Sequence, residues 1–406
     1  MRSLLTKTLL SLLVITSLTA CKKKKTEDDT SKSTNLTGVL SANKTLTADK
    51  IWTIEGRFVV PEGKTLTIDE GTIIKGKPGS GADASVLIVA RGGKIMANGT
   101  AANPIVFTAE ADNIAIGQKF GTNLGPNDNS LWGGVLILGK AKGSFNGDVS
   151  EFQIEGIPAS DTNGLYGGND DTDNSGIFRY VSIRHGGAEI GAGNEINGLS
   201  LGCVGIGTTI DHIEIVGNKD DGIEFFGGAV NPSELLVYSC ADDGLDIDQA
   251  YHGTITNSMV IEGDNSDHAF EIDGGEGSYE AGFTVDNVTL IGNTTTAKGE
   301  YADFRDGAMG TIGNIYAYGF KDSSDVELDD DATANHYNAG TLVFGTWQIV
   351  LPAGVNDVTT LFKNKAPNVS VNGFGSTAQA VSQGQQTVGA DTAEFNWTFA
   401  KHNNAF

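Results

Sequence analysis

Short runs of alternating apolar and polar residues recur along this chain. Ile210-Asp211-His212-Ile213-Glu214-Ile215-Val216 ends in the turn Gly217-Asn218, and similar shapes return at 233–240, 257–263, 287–293 and 314–319. An earlier copy is Phe178-Arg179-Tyr180-Val181-Ser182-Ile183-Arg184. The apolar positions Ile213, Leu235, Met259, Val288 and Ile315 lie 22, 24, 29 and 27 residues apart. Alternation of this kind marks a half-buried strand. A period in the twenties marks a solenoid, whose turns bury their inner faces only by stacking. The pattern predicts an all-β parallel solenoid with strands about 4.8 Å apart along its axis. In this register Ile215 points inward and Glu214 faces the opposite side. No segment carries the Leu-Asn ladder of a leucine-rich repeat.

Val86-Leu87-Ile88-Val89-Ala90 and Val135-Leu136-Ile137-Leu138 are apolar throughout and are expected to be interior or packed against a cap. The polar stretches 118–130 and 159–176 are too long for simple corners. Beyond about Gly340 the repeat fades. Residues 345–349 and 395–399 read as strands of a C-terminal cap, which an open solenoid end requires.

At the start, Arg2 and Lys7 flank a short apolar run that ends in Leu18-Thr19-Ala20-Cys21. A basic segment, an apolar segment and small residues before a Cys describe a bacterial lipoprotein signal. The expected organisation is therefore a signal peptide over 1–20 and an acylated, disordered tether over 21–36 with Cys21 as the lipidated residue. The β-helix follows over 37–340 and the β-rich cap over 341–406. Attachment to the membrane is expected through the lipid alone. Lys22–Lys25 followed by Glu27-Asp28-Asp29 resembles the surface-export signal of Bacteroidetes lipoproteins, which implies exposure at the cell surface; a solvated spacer on a periplasm-facing lipoprotein is the alternative.

Several motifs narrow the reading. Gly92-Gly93-Lys94-Ile95-Met96-Ala97-Asn98-Gly99-Thr100 leads into Asn103-Pro104-Ile105-Val106-Phe107-Thr108. Later come Trp132-Gly133-Gly134-Val135, Tyr166-Gly167-Gly168-Asn169, Asn197-Gly198-Leu199-Ser200-Leu201 and Asp220-Asp221-Gly222-Ile223-Glu224-Phe225-Phe226-Gly227-Gly228. Together these resemble a family of right-handed parallel β-helix lipoproteins found in Bacteroidetes and some proteobacteria. The resemblance spans roughly 37–406. It implies the fold, its right-handedness and its location, and carries no established activity.

Charge sharpens the functional question. The chain holds 51 Asp and Glu against 27 Lys and Arg, a net charge of −24. That argues against nucleic acid and anionic lipid as partners. The acids concentrate after the repeated strands, at Asp220-Asp221, Asp242-Asp243, Asp246, Asp248, Asp264, Asp267, Glu271 and Asp273, and no Lys or Arg occurs from Asp220 to Ala297. Asp221, Asp243 and Asp267 follow the strand period and are expected to stack. Calcium takes six to eight oxygen ligands, and Asp221, Asp243, Asp246, Asp248 and Asp267 are its candidate ligands. Parallel β-helix polysaccharide hydrolases and lyases also use acidic ridges, with paired carboxylates or a calcium-assisted base. For such an enzyme the catalytic candidates are Asp242, Asp243, Asp246 and Arg305, with Arg184 and Lys321 as weaker bases. No Arg-x-Lys occurs, and His-Gly occurs only at His185-Gly186 and His252-Gly253.

The expected role is therefore a cell-surface lipoprotein that binds a glycan or an outer-membrane protein partner through one solenoid face. A polysaccharide lyase or hydrolase is the alternative, and a structural subunit of an outer-membrane assembly is a third. Asp171-Thr172-Asp173-Asn174-Ser175-Gly176 opens like a calcium loop but lacks its closing Glu. His185, His212, His252 and His268 are too scattered in sequence for a zinc site. The sequence leaves open whether Cys203 and Cys240 pair. If Cys21 is acylated, wild-type protein labels with palmitate and sediments with membranes; Cys21→Ser is expected to lose both, and retained labelling would refute the assignment.

Overall fold

A computed structural model describes residues 34–191 and 194–406; Cys21 and the tether to residue 33 lie outside them. Residues 34–406 form one compact unit. It is a right-handed parallel β-helix built from a single sheet of 25 strands.

Each turn has three sides. The first runs from Lys44–Leu46 through Thr65–Ile68 and Lys94–Asn98 to Leu342–Phe344. The second runs from Ile73–Gly76 and Ile105–Ala109 to Trp347–Ile349 and Ala378–Ala380. The third stacks Val86–Val89, Val135–Leu138, Leu199–Gly202, Ile223–Phe226, Leu245–Asp248, Phe270–Asp273, Ala302–Arg305, Val326–Leu328 and Phe362–Asn364. Strand pairing thus continues past residue 340 to Ala380.

In the middle turns one bent strand supplies both the first and second sides. Gly176–Arg184, Thr209–Val216, Ser233–Tyr238, Thr254–Ile261, Phe283–Ile291 and Gly310–Tyr318 each bend at one residue with positive φ: Tyr180, His212, Glu234, Asn257, Asn287 and Asn314. The left-handed conformation costs most side chains energy and Asn least. The Asn residues at three of these corners are the local signal for the bend.

Inside, apolar columns stack in register: Ile213 on Leu235, Val288 on Ile315, and Ile223 on Leu245. Met259 departs from the expected column. Its partners are Leu236 and Thr289, and Ser258 occupies the inner position below Val288. The turn is 23 residues rather than 24, and a one-residue slip exchanges the faces of a strand. Met259 therefore points outward, into a second apolar cluster with Leu236, Ile261, Ile291, Phe395 and Ala400. Val86, Ile88, Leu136 and Leu138 also point outward, against Phe145, Ile154 and Tyr166 of the long 139–176 excursion, so the cover over both apolar strands is this excursion rather than a cap.

Residues 395–399 are not a strand. They lie in a short 3-10 turn, Thr392–Phe395, and a helical turn, Phe399–His402, that strap the outer second side. A further helix, Asp331–Ala339, is capped by Asp330 and closed by Gly340 at φ 74°. The strap explains a second departure. Ile215 is interior as expected, but Glu214 is also buried, at 0 % exposure. Glu214 accepts from Ser182 Oγ at 2.5 Å and from the Ala400 N–H at 2.9 Å, and lies 3.8 Å from Arg184 Nη2. Arg184 is itself sealed between Phe120 and Phe399, with Nη1 donating to Lys119 O. It is a structural cation, not an available base. Removing one partner of a buried pair strands the other charge, at about 3–5 kcal/mol. Glu214→Ala is therefore expected to destabilise about as much as Ile215→Asp in denaturant unfolding; a loss below about 1 kcal/mol would contradict this role for the strap.

Candidate functional site

On the third side, five strands repeat one triplet: Ile223-Glu224-Phe225, Leu245-Asp246-Ile247, Phe270-Glu271-Ile272, Ala302-Asp303-Phe304 and Val326-Glu327-Leu328. The flanking residues fill the core, so alternation turns every central acid outward. Register stacks them as one column, Glu224, Asp246, Glu271, Asp303 and Glu327. In a parallel column Asp273 pairs with Arg305, and Asp248 of the preceding turn is close enough to feel the Asp273 charge. The side chains cover one another: Asp246 is only 9 % exposed and Asp303 5 %.

Before each strand, a ladder caps the backbone. Asn197 Oδ1 accepts from the Asp221 N–H at 3.2 Å, Asp221 Oδ1 from the Asp243 N–H at 3.0 Å, and Asp243 Oδ1 from the His268 N–H at 2.7 Å. Asp221 and Asp243 thus stack as expected. The next rung is His268, not Asp267, because Leu245 pairs with Phe270 over a 25-residue turn. Asp267 sits beside the ladder with Lys298 Nζ at 2.5 Å.

The acids fall into an upper and a lower group. In the upper group Asp221, Glu224 and Asp246 each offer an oxygen within 4.8 Å of the others. Asn197 Nδ2 donates to Glu224, and Asp246 Oδ1 is buried with no hydrogen-bond partner. Burial, and then repulsion between neighbouring carboxylates, holds all three well above the usual carboxylate range. Asp220 is pushed up to about 7 and Asp248 to about 8, first by burial and then by nearby acids. Asp242 joins a second upper triad with Asp220 and Asp221.

Cations enter the lower group. His268 Nδ1 lies 2.8 Å from Asp243 Oδ1, and the imidazole is pushed up to about 9: burial lowers it, but Asp243 and its neighbours more than offset this. Burial also opposes ionisation of Asp243, but His268 holds that carboxyl below its ordinary value. Glu271 rises to about 9 through burial and the adjacent Asp243, against the pull of Arg305. Arg305 bonds Glu271, meets Asp273 at 2.7 Å and approaches Asp303 at 3.9 Å. Lys363 and Lys365 pair with Asp325, and Lys365 with Glu327. Of the other candidate bases, Lys321 Nζ is spent on the carbonyls of residues 296–298.

Elsewhere the sequence candidates resolve into structural roles. Asp171 and Asp173 cap the N–H groups of Lys142 and Lys140. Cys203 and Cys240 are buried and unpaired. The aromatic rings beside the acids are likewise structural: Phe225, Tyr251 and Phe270 lie in the main core and Phe226 in the apolar cluster under the 139–176 excursion. His268, Glu271, Asp303 and Glu327 were not singled out as site residues from the sequence; the apolar-acid-apolar triplet was the signal that would have found three of them.

A parallel solenoid with a stacked carboxylate face defines the class of protein. The family model for the pectate-lyase-like β-helix domain matches residues 38–400, and the chain belongs to that family. No curated protein and no solved structure gives a significant match.

The upper acids set a pH dependence. Their folded pKa values exceed the unfolded values near 4, so the folded state keeps protons that the unfolded state releases. Their contribution to stability is greatest below about pH 4 and falls as pH rises through the folded values. In chelator, Asp246→Asn removes one of these acids and is expected to raise the melting temperature at pH 8 more than at pH 5. A lower melting temperature for the variant at pH 8 would refute the assignment.

Proposed function

We propose that this protein is a cell-surface lipoprotein, anchored through Cys21, that binds glycan through calcium held on its third side. The observation that carries this reading is the upper triad: three crowded carboxylates with no cation paired to them among the described residues, and an unpartnered, nine-tenths-buried Asp246 Oδ1. Hard oxygen donors from adjacent turns suit calcium. Asp221, Glu224 and Asp246 are its protein ligands in this proposal, with Asp220 and Asp242 at the rim; Asp243 and Asp267 serve the ladder and Lys298 instead. Calcium would cancel the local repulsion and give a strongly acidic surface its means of holding a uronate or polyhydroxyl glycan.

Binding is favoured over lyase or hydrolase chemistry by the state of the bases. Arg305 on this acidic face is committed to Glu271 and Asp273. Asp243 Oδ1 is taken up by the His268 backbone N–H and lies 2.8 Å from its ring Nδ1, and the neighbouring Glu271 is bonded by Arg305. Calorimetry and affinity electrophoresis test the proposal. Millimolar calcium is expected to raise the melting temperature of wild type but not of Asp246→Asn, and to strengthen retention by polyuronate gels. Retention unchanged in chelator would overturn the calcium role, and release of unsaturated uronate products would establish the lyase instead.

A further inference from the structure

The lower group contains a donor set of different chemistry. His268, Asp303 and Glu327 each offer a ligand atom within 4.8 Å of the other two. They come from three successive turns: the stretch before Phe270–Asp273, then Ala302–Arg305 and Val326–Leu328. Asp303 is 5 % exposed, and its Oδ1 is buried without a hydrogen-bond partner; Glu327 is 6 % exposed, and its Oε2 is met by Lys365 Nζ. Polar atoms buried this way are costly unless something meets them. An imidazole among carboxylates selects against calcium, which prefers oxygen alone, and suits zinc and similar ions.

The imidazole is also oriented for ligation. His268 Nδ1 sits 2.8 Å from Asp243 Oδ1, and the same oxygen accepts the His268 backbone N–H. A carboxylate behind one ring nitrogen fixes the ring and leaves the other nitrogen to the metal, an arrangement that metal-bound histidines repeat. We propose that His268, Asp303 and Glu327 bind one divalent transition-metal ion of the zinc class, with Asp243 as the positioning residue behind His268. Three protein donors leave the rest of the coordination to water or to an oxygen of a bound ligand. Lys365, which pairs with Glu327, keeps Asp325 as a second partner when the ion takes Glu327. This site is separate from the calcium triad and shares no ligand with it.

The test uses full-length protein stripped with chelator and titrated with zinc chloride by calorimetry. One equivalent is expected to bind, with affinity reduced at least tenfold in His268→Gln and in Asp303→Asn, and about 10–100-fold in Asp243→Asn. Asp246→Asn is expected to bind zinc like wild type while losing its response to calcium, which separates the two sites. Circular dichroism melts confirm that each variant is folded. Copper(II) substituted into wild type is expected to show nitrogen coupling in its electron paramagnetic resonance spectrum, and Asp303→Asn, which keeps the histidine, guards against a misfolded His268 variant. No zinc uptake by wild type, an all-oxygen copper spectrum, or uptake unchanged in both His268→Gln and Asp303→Asn would overturn the proposal.

Discussion

Parallel stacking at one strand spacing governs this molecule. Each residue rests on its counterpart one turn earlier, about 4.8 Å away, so whatever recurs once per turn becomes a column. Apolar recurrence gives the core, where Ile213 rests on Leu235 and Phe225 on Ile247. Acidic recurrence gives the opposite result on the outer third side. Glu224, Asp246, Glu271, Asp303 and Glu327 are brought together by the hydrogen bonding that stabilises the sheet. Two like charges at that spacing repel by about 1 kcal/mol in water and more near protein.

The fold answers this charge unevenly. In the lower turns Arg305, His268, Lys363 and Lys365 lie against the acids. In the upper turns the relief comes from Asn197, from backbone N–H groups and from retained protons. The two halves consequently differ in chemistry: an all-oxygen group above, and a mixed nitrogen and oxygen group below. The remaining outer surfaces are partly sealed. The 139–176 excursion covers the apolar upper part of the third side, and the C-terminal strap covers the second. None of the apolar clusters among the described residues extends over the acidic column below Phe226.

The strap also has electrostatic content. His212 meets Asp211 at 2.8 Å and reaches Glu394 of the strap at 3.3 Å. Burial lowers the imidazole, but these carboxylates outweigh it and hold its pKa above the ordinary value. The attachment it provides is therefore complete below about pH 6.5 and weakens as pH rises through the folded value. With Glu214 capping Ala400 and Arg184 packed on Phe399, residues far apart in sequence form one polar seam beneath the strap.

Local sequence determined the fold class, because alternation fixes which residues can share a core and a period in the twenties allows them no other way to bury it. It also determined the Asn corners, through the low cost of left-handed backbone at Asn, and the stacking of Asp221 on Asp243, whose 22-residue separation matches one full turn. Counting failed where turn length varied. Ser258 rather than Met259 faces inward, and His268 rather than Asp267 follows Asp243. One residue of difference reverses a side chain's direction, and only strand pairing shows which turn carries it. Tertiary structure alone decided that Glu214 is buried and that residues 395–399 form a strap, since both depend on where the chain's end returns. It alone gathered His268, Asp303 and Glu327 as well: their separations of 35 and 24 residues share no single period, and the loops between successive strands absorb the difference.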